Sequence, residues 1–356
     1  MSNHNYIKLM NESIIRLFRK ALKVSLTNPS RLLFILRTIR WQKNAAKLRN
    51  YWKANNITVP PFMITSITKR CNLKCKGCYA LKFHDACADE ICNDRLEHIM
   101  IEANELGISM NLLAGGEPFV RKNILQITKK FPQIIFPIFT NGLLIDNKLM
   151  NELKTQKHVI PILSVEGLEK ETDKRRGTGV YNRIKKTMKA IKRKGIFFGA
   201  SLTVTQYNYS TLTSHEFVKE MMNLGCKLLF FVEYVPVTEN TEDLVVTNEQ
   251  REELQEKLTK FYSIYNGLFI AFPGDESKFG GCLSSGRGFV HVSPDGSLEP
   301  CPFAPYSDVN IKDMSLKEAL KSDFLRKIRH SPEHLKETDS GCALWNNSEW
   351  VKSLLS

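Results

Sequence analysis

A chain of 356 residues with 42% hydrophobic content can bury the core of one large domain plus an appendage, and no apolar run approaches the length that crosses a bilayer. The net charge is +14, but residues 1–60 alone carry 12 Lys and Arg against the single acid Glu12, while the rest holds 39 against 36. The body is therefore nearly neutral, and the basic character belongs to one N-terminal extension. The N-terminus shows no secretory pattern, so the expected compartment is the cytoplasm, where thiols stay reduced. Nine cysteines in such a compartment point to metal ligation or redox chemistry rather than disulfides.

In the extension, residues 1–58, Ile7, Met10, Ile14, Leu17, Ala21 and Leu22 recur at helical intervals. Asn28-Pro29-Ser30 breaks the pattern, with Ser30 an expected N-cap for a second helix. That helix carries Leu32, Leu33, Leu36 and Ile39, then Trp41, Leu48, Tyr51 and Trp52, interleaved with Arg and Lys. Basic amphipathic helices of this kind can lie on an anionic membrane surface, which would place the protein peripherally on the inner face of the membrane. The alternative is that the stripe packs on the main domain and the charges are solvated. The width of the apolar stripe argues against RNA, and no nucleic-acid partner is expected.

From residue 59 to about 268 the pattern alternates. Strands are expected over 63–67, 109–113, 134–139, 159–165, 197–204 and 228–235, with helices over 94–106, 122–130, 146–155, 181–194 and 211–224. Six strands interleaved with helices require a parallel sheet with crossovers. The strands are apolar on both faces, as buried parallel strands are. An open doubly wound sheet and a partial barrel fit equally well. In either, the site lies at the C-terminal ends of the strands. There the sequence places a three-cysteine loop (Cys71, Cys75, Cys78), Ala114-Gly115-Gly116-Glu117-Pro118, Thr140-Asn141-Gly142, Ser164-Val165-Glu166-Gly167 and Glu233-Tyr234.

Structural zinc requires four closed ligands, and the loop CNLKCKGCYA supplies three, with His84 as one conceivable fourth. A disulfide pair needs only two. Three thiolates on an iron–sulfur cluster would leave one iron open to an exogenous ligand. Lys69, Arg70, Lys74 and Lys76 would favour thiolates there, or form no more than a solvated positive loop.

The C-x3-C-x2-C loop after the first strand, Gly-Gly-Glu-Pro after the second and the polar strand ends that follow resemble the radical S-adenosylmethionine (SAM) superfamily over residues 61–265. The resemblance implies an α/β fold, a partial (β/α)6 TIM-like barrel. It also implies a [4Fe–4S] cluster on Cys71, Cys75 and Cys78, with SAM on the fourth iron. An electron from a donor such as flavodoxin or ferredoxin would cleave SAM to methionine and a 5′-deoxyadenosyl radical. By the same resemblance, Gly115 and Gly116 let the backbone approach the SAM amino group beside Glu117. Ser164 and Glu166 meet the ribose, and Arg176 pairs with the SAM carboxylate. Asn141 is either a ligand or a turn residue. Gly77 departs from the pattern, since the residue before the third cysteine is usually aromatic near the adenine; Tyr79 is the expected substitute.

Residues 269–356 carry Cys282, Gly286, a Ser293-Pro294-Asp295-Gly296-Ser297 turn between short strands, Cys301-Pro302, a helical run over 315–328 and Cys342. This segment resembles the SPASM/twitch extension, a small α+β unit. The resemblance implies an auxiliary iron–sulfur cluster on Cys282, Cys301 and Cys342, with an open or non-cysteine fourth ligand; three buried free thiols are the alternative. Cys87 and Cys92 are expected to be ordinary buried cysteines, with a missing cluster ligand or a thiol shuttle as the alternative, and Cys226 has no role assigned by the sequence. The carboxylates of Asp275 and Glu276 are expected to be solvated or to face substrate. The function expected from the whole is hydrogen abstraction by a SAM-derived radical from an unidentified, membrane-associated or lipid substrate. A peptide- or protein-modifying maturase and a non-catalytic iron–sulfur scaffold are the alternatives.

Overall fold

In the computed structural model of the chain, which describes residues 6–26, 29–83, 89–272, 276, 279–336 and 342–355, one sheet runs through the molecule. Its strands are β1 (Phe62–Ser66), β2 (Met110–Ala114), β3 (Phe136–Thr140), β4 (Val159–Val165), β5 (Gly199–Val204), β6 (Leu228–Glu233), β7 (Leu268–Phe272), β8 (Phe289–Val292) and β9 (Leu298–Glu299). Their spatial order is β7-β6-β5-β4-β3-β2-β1-β8-β9. Every neighbouring pair is parallel except β8–β9.

Two helices precede the sheet, α1 (Tyr6–Val24) and α2 (Pro29–Ala54). The crossovers are α3 (Tyr79–Phe83), α4 (Asn93–Leu106), α5 (Ile124–Lys129), α6 (Asn147–Thr155), α7 (Glu169–Arg176), α8 (Val180–Arg193), α9 (Tyr209–Leu212), α10 (His215–Leu224) and α11 (Asn248–Ile264). Sequential strands that lie side by side with helices between them form the partial TIM-like barrel that the family resemblance implies.

The six expected strands are all present, and β7 is an unanticipated seventh. Leu268-Phe269-Ile270 is apolar and short, which by periodicity alone cannot be told from the end of a helix. Two expected helices are each split by a serine. At Ser214 the hydroxyl accepts from the Phe217 amide at 3.2 Å and starts α10 afresh. At Ser322 the hydroxyl accepts from the Leu325 amide at 3.0 Å and donates to Asp308 at 2.6 Å, dividing the run into α12 (Leu316–Ala319) and α13 (Asp323–Arg329).

The N-terminal stripe lies against the barrel. Met10, Ile14, Phe18, Ala21 and Val24 of α1 are buried with Met110, Ile135, Leu228 and Leu268, which stand at the N-terminal ends of strands. The helix thus corks the barrel at the end opposite the site. In α2, Arg49 donates to the carbonyl of Gly107 and to Asn11 Oδ1, both at 2.5 Å, and burial pulls its pKa down to about 10. The side chain of Ile7 and residues Thr27 and Asn28 lie outside the described residues, and α2 begins at Pro29, so Ser30 sits inside its first turn rather than capping it. The outer face of α2 exposes Leu33, Leu36, Leu48 and Tyr51 among Arg37, Arg40, Lys43 and Lys47. Among the described residues, no helix is long and apolar enough to cross a membrane.

Candidate functional site

The C-terminal ends of the strands enclose a cavity of about 260 Å³. Cys71, Cys75 and Cys78 line it from the loop after β1. Cys71 is exposed, and the other two are half-buried. Among the described residues, no three His, Cys, Asp or Glu side chains converge closely enough to share one metal ion. His84 and Cys87 lie outside the described residues. Burial pushes the Cys75 thiol up, opposed by the cationic Arg176 and Arg175. Burial also raises Cys71, while the Leu73 amide pointing at its sulfur at 3.4 Å opposes this.

The loop after β2 braces the cysteine loop. The Gly116 amide donates to the Thr68 carbonyl at 2.7 Å, and the Glu117 amide to the Arg70 carbonyl at 2.8 Å. A Cβ on Gly115 or Gly116 would collide with those same two backbones, so glycine is required here for loop-on-loop packing. The Glu117 carboxylate is buried and accepts from Thr140 Oγ1 at 2.7 Å, from the Asn141 amide at 2.7 Å and from the Phe119 amide at 3.2 Å. Burial raises its pKa against those three donors. Glu117 therefore ties the end of β2 to the end of β3. Asn141 extends the brace, because its side-chain amide donates to Asn72 Oδ1 at 2.8 Å and reaches Cys71 Sγ at 4.0 Å.

On the opposite wall, Ser164 and Ser201 face the cavity side by side in the β4–β5 register. Glu166, just past β4, is buried and forms a two-pronged ion pair with Arg176: Nε to Oε2 at 2.6 Å and Nη2 to Oε1 at 2.7 Å. Arg175 adds a third contact at 2.8 Å. Burial alone would raise the Glu166 pKa, but the two guanidinium groups outweigh it and hold the carboxyl below its usual range. Arg176 Nη1 also points at Cys75 Sγ at 3.9 Å, and Arg175 Nε donates to the Lys76 carbonyl at 3.1 Å. The sequence-predicted residues Glu166 and Arg176 thus meet each other beside the cysteine loop.

Two further features emerge only in three dimensions. Gly77 holds a left-handed backbone (φ 62°), and a Cβ there would strike the hydroxyl of Tyr234. Tyr234 comes from the end of β6 and fills the room that an aromatic side chain at position 77 would take. Tyr79, expected in that role, lines the same cavity, where it hydrogen-bonds Ser66 and stands edge-on to Phe303 at 5.5 Å. The signal for Tyr234 was its place at a strand end, which it shares with too many residues to stand out. The second feature is a buried polar chain that ties the C-terminal segment to β1. Ser66 Oγ lies 2.8 Å from His291 Nε2, and His291 Nδ1 lies 2.7 Å from Glu299 Oε2.

The C-terminal cysteines lie near one another. Cys282 and Cys301 are buried, and burial pushes both thiols well above the ordinary range. Cys342 adds its charge to each of them. Glu276, expected to be solvated or to face substrate, is buried, and its charge acts on Cys282 and Cys342; Asp275 lies outside the described residues. Cys226 is buried. Cys92 is exposed, and its sulfur accepts from the Arg95 amide as the N-cap of α4. Pro302 and Phe303, just beyond Cys301, form part of the cavity wall.

Residues 65–226 match the family model of the radical SAM superfamily. The chain is 26% identical over 304 residues to the AdoMet-dependent heme synthase of Methanosarcina barkeri, covering 78% of this chain and 86% of that protein. It is 26% identical over 290 residues to the antilisterial bacteriocin subtilosin biosynthesis protein AlbA of Bacillus subtilis, covering 77% of this chain and 62% of that protein. Among solved structures, Streptococcus suis SuiB bound to S-adenosylmethionine superposes with a TM-score of 0.64 at 19% identity, over 83% of this chain and 73% of that one. Native anSMEcpe with bound AdoMet gives 0.59 at 17%, over 83% and 96%. These two likenesses establish a common fold.

Proposed function

We propose that the chain is a radical SAM enzyme with a [4Fe–4S] cluster and SAM as its cofactors, and that Cys71, Cys75 and Cys78 hold that cluster; the match of residues 65–226 to the radical SAM superfamily supports this reading. The observation that carries this reading is the three thiols on one cavity wall, without a fourth protein thiol among the described lining residues. The bound group supplies one-electron cleavage of SAM to methionine and a 5′-deoxyadenosyl radical. The electron comes from a donor such as flavodoxin or ferredoxin.

This chain's own residues have three tasks in that reading. The brace through Glu117 and Asn141 fixes the cysteine loop against the ends of β2 and β3. Arg176, oriented by Glu166, lines the cavity as the partner for the SAM carboxylate, and Ser164 stands on the ribose side. Glu166, spent on the two guanidinium groups and absent from the described cavity lining, orients Arg176 rather than meeting the ribose. The aromatic walls, Phe139, Phe230, Phe272 and Phe303, exclude water from the radical. Cys282, Cys301 and Cys342 hold an auxiliary cluster behind the Pro302–Phe303 wall.

For substrate, the reading favours a peptide. AlbA, named for the biosynthesis of a bacteriocin, matches over 77% of this chain, and the apolar walls suit an aliphatic or aromatic side chain as hydrogen donor. With the stripe of α1 packed on the barrel, the sequence feature that first suggested a lipid substrate has another use. A membrane role has one supporting observation of its own, the basic and apolar outer face of α2, which fits an anionic bilayer surface as a docking partner.

Anaerobic reconstitution with iron and sulfide, followed by SAM and dithionite, tests the core reading. 5′-Deoxyadenosine is expected from the native chain and should be absent with Cys75→Ala. Equal product from both proteins would overturn the assignment of the loop.

A further inference from the structure

A second cavity, of about 340 Å³, occupies the other end of the barrel, between the two N-terminal helices and the N-terminal halves of the strands. Phe230 lines both cavities, and its ring packs 5.4 Å from that of Phe139, so the aromatic pair forms a partition between them. The lower cavity is not part of the SAM site. It exists because α1 corks the barrel incompletely. Leu17, Phe18 and Ala21 cover one side, while Ile160, Leu228 and Leu268 face them from the sheet.

The charge at this cavity is one-sided. Arg31 at the start of α2, Lys154 and Lys157 at the end of α6, and Lys194 after α8 all line it, and no carboxylate is among its described lining residues. Arg31 donates to the Gly195 carbonyl at 2.9 Å and lies over the Phe197 ring, and burial lowers its pKa. Lys157 is held by Ser30, and Lys194 Nζ donates to Asn151 Oδ1 at 2.7 Å. Lys154 and Lys157 are exposed and mark the mouth, while the deeper lining is aliphatic and aromatic. Water in such a lumen would find few partners. Ligand pockets span roughly 300–1,000 Å³, so this one lies at the small end, with room for one hydrocarbon chain rather than two.

We infer that the lower cavity binds a single-chain fatty acid, with its hydrocarbon tail between α1 and the sheet and its carboxylate among Arg31, Lys154, Lys157 and Lys194. The apolar lining drives insertion of the tail, and the cationic rim selects an anion over a neutral chain of equal length. The site stands apart from the SAM chemistry and does not rest on it.

The test uses the full chain and the fluorescent fatty acid cis-parinaric acid, whose emission rises in an apolar site. Myristate should displace it at least about tenfold better than myristyl alcohol, which has the same tail without the charge. Lys154→Glu with Lys194→Glu should remove that preference while leaving the alcohol's competition unchanged. Ala21→Trp, which fills the lumen from α1, should weaken both competitors. Myristate should also raise the thermal midpoint of the native chain. That readout keeps the proposal testable if Ala21→Trp fails to fold. The proposal is overturned if the native chain does not bind the probe, if acid and alcohol compete equally, or if folded Ala21→Trp binds as the native chain does. Cys75→Ala should bind the probe normally, so failure here is distinct from failure of the cluster assignment.

Discussion

Replacing Glu166 with Gln changes little in shape and removes one charge from the most buried ion pair of the site. The side chain of Glu166 is 3% exposed, with Arg176 at 11% and Arg175 at 20%. Removing one partner of a buried pair costs about 3–5 kcal/mol, because the other charge is left uncompensated. Arg175 keeps some water and Gln retains one acceptor, so the lower figure, about 3 kcal/mol, applies. At roughly 2 °C per kcal/mol for a chain of this size, the thermal midpoint should fall by about 6 °C. The sign of the pH dependence follows from the depressed carboxyl. The folded-state pKa of Glu166 lies below its unfolded value, near 4.3. Its stabilisation is therefore fully present above about pH 4.3 and is lost as pH falls through the folded-state value. Calorimetry or circular dichroism from pH 7 to pH 3.5 should show a constant gap between native and Glu166→Gln down to about pH 5, narrowing below pH 4. A gap under about 0.5 kcal/mol at pH 7, or one that widens with acid, would refute the ion-pair assignment.

Two further outcomes follow from the packing. Tyr234→Ala should weaken SAM binding about tenfold by equilibrium dialysis, the range expected for one aromatic face, and Tyr234→Phe should not; equal affinities for all three proteins would remove Tyr234 from the site. Ile14→Asp places a carboxylate in the seam between α1 and the barrel and should cost on the order of 3 kcal/mol in urea unfolding, whereas Leu33→Asp on the exposed face of α2 should cost under about 0.5 kcal/mol. Similar losses from the two would mean that α1 does not cork the barrel.

The barrel was legible because its strands are continuous apolar runs separated by helices of ordinary length, and the site was legible because its residues cluster at strand ends. Pattern alone left the open sheet and the barrel undecided, and there the family resemblance chose. What pattern could not supply was the pairing of side chains. Glu166 and Arg176 are ten residues apart in sequence and each was assigned separately to the cofactor; that they meet depends on α7 turning back over the end of β4. Gly77 reads as a departure until Tyr234, more than 150 residues later, is seen to occupy its space. The α1 stripe carried the same helical period whether its partner was lipid or protein, since the spacing of apolar residues along a helix does not encode what covers them. Its burial against Leu228 and Leu268 is a long-range fact.

The central claim is that the three-cysteine loop leaves one iron of its cluster open to SAM. It is tested most directly by electron paramagnetic resonance of the reduced cluster in the Cys282→Ala, Cys301→Ala, Cys342→Ala protein, which isolates the first site. Adding SAM should change the spectrum while the iron content stays at about four per chain. A full cluster whose spectrum ignores SAM would contradict the account.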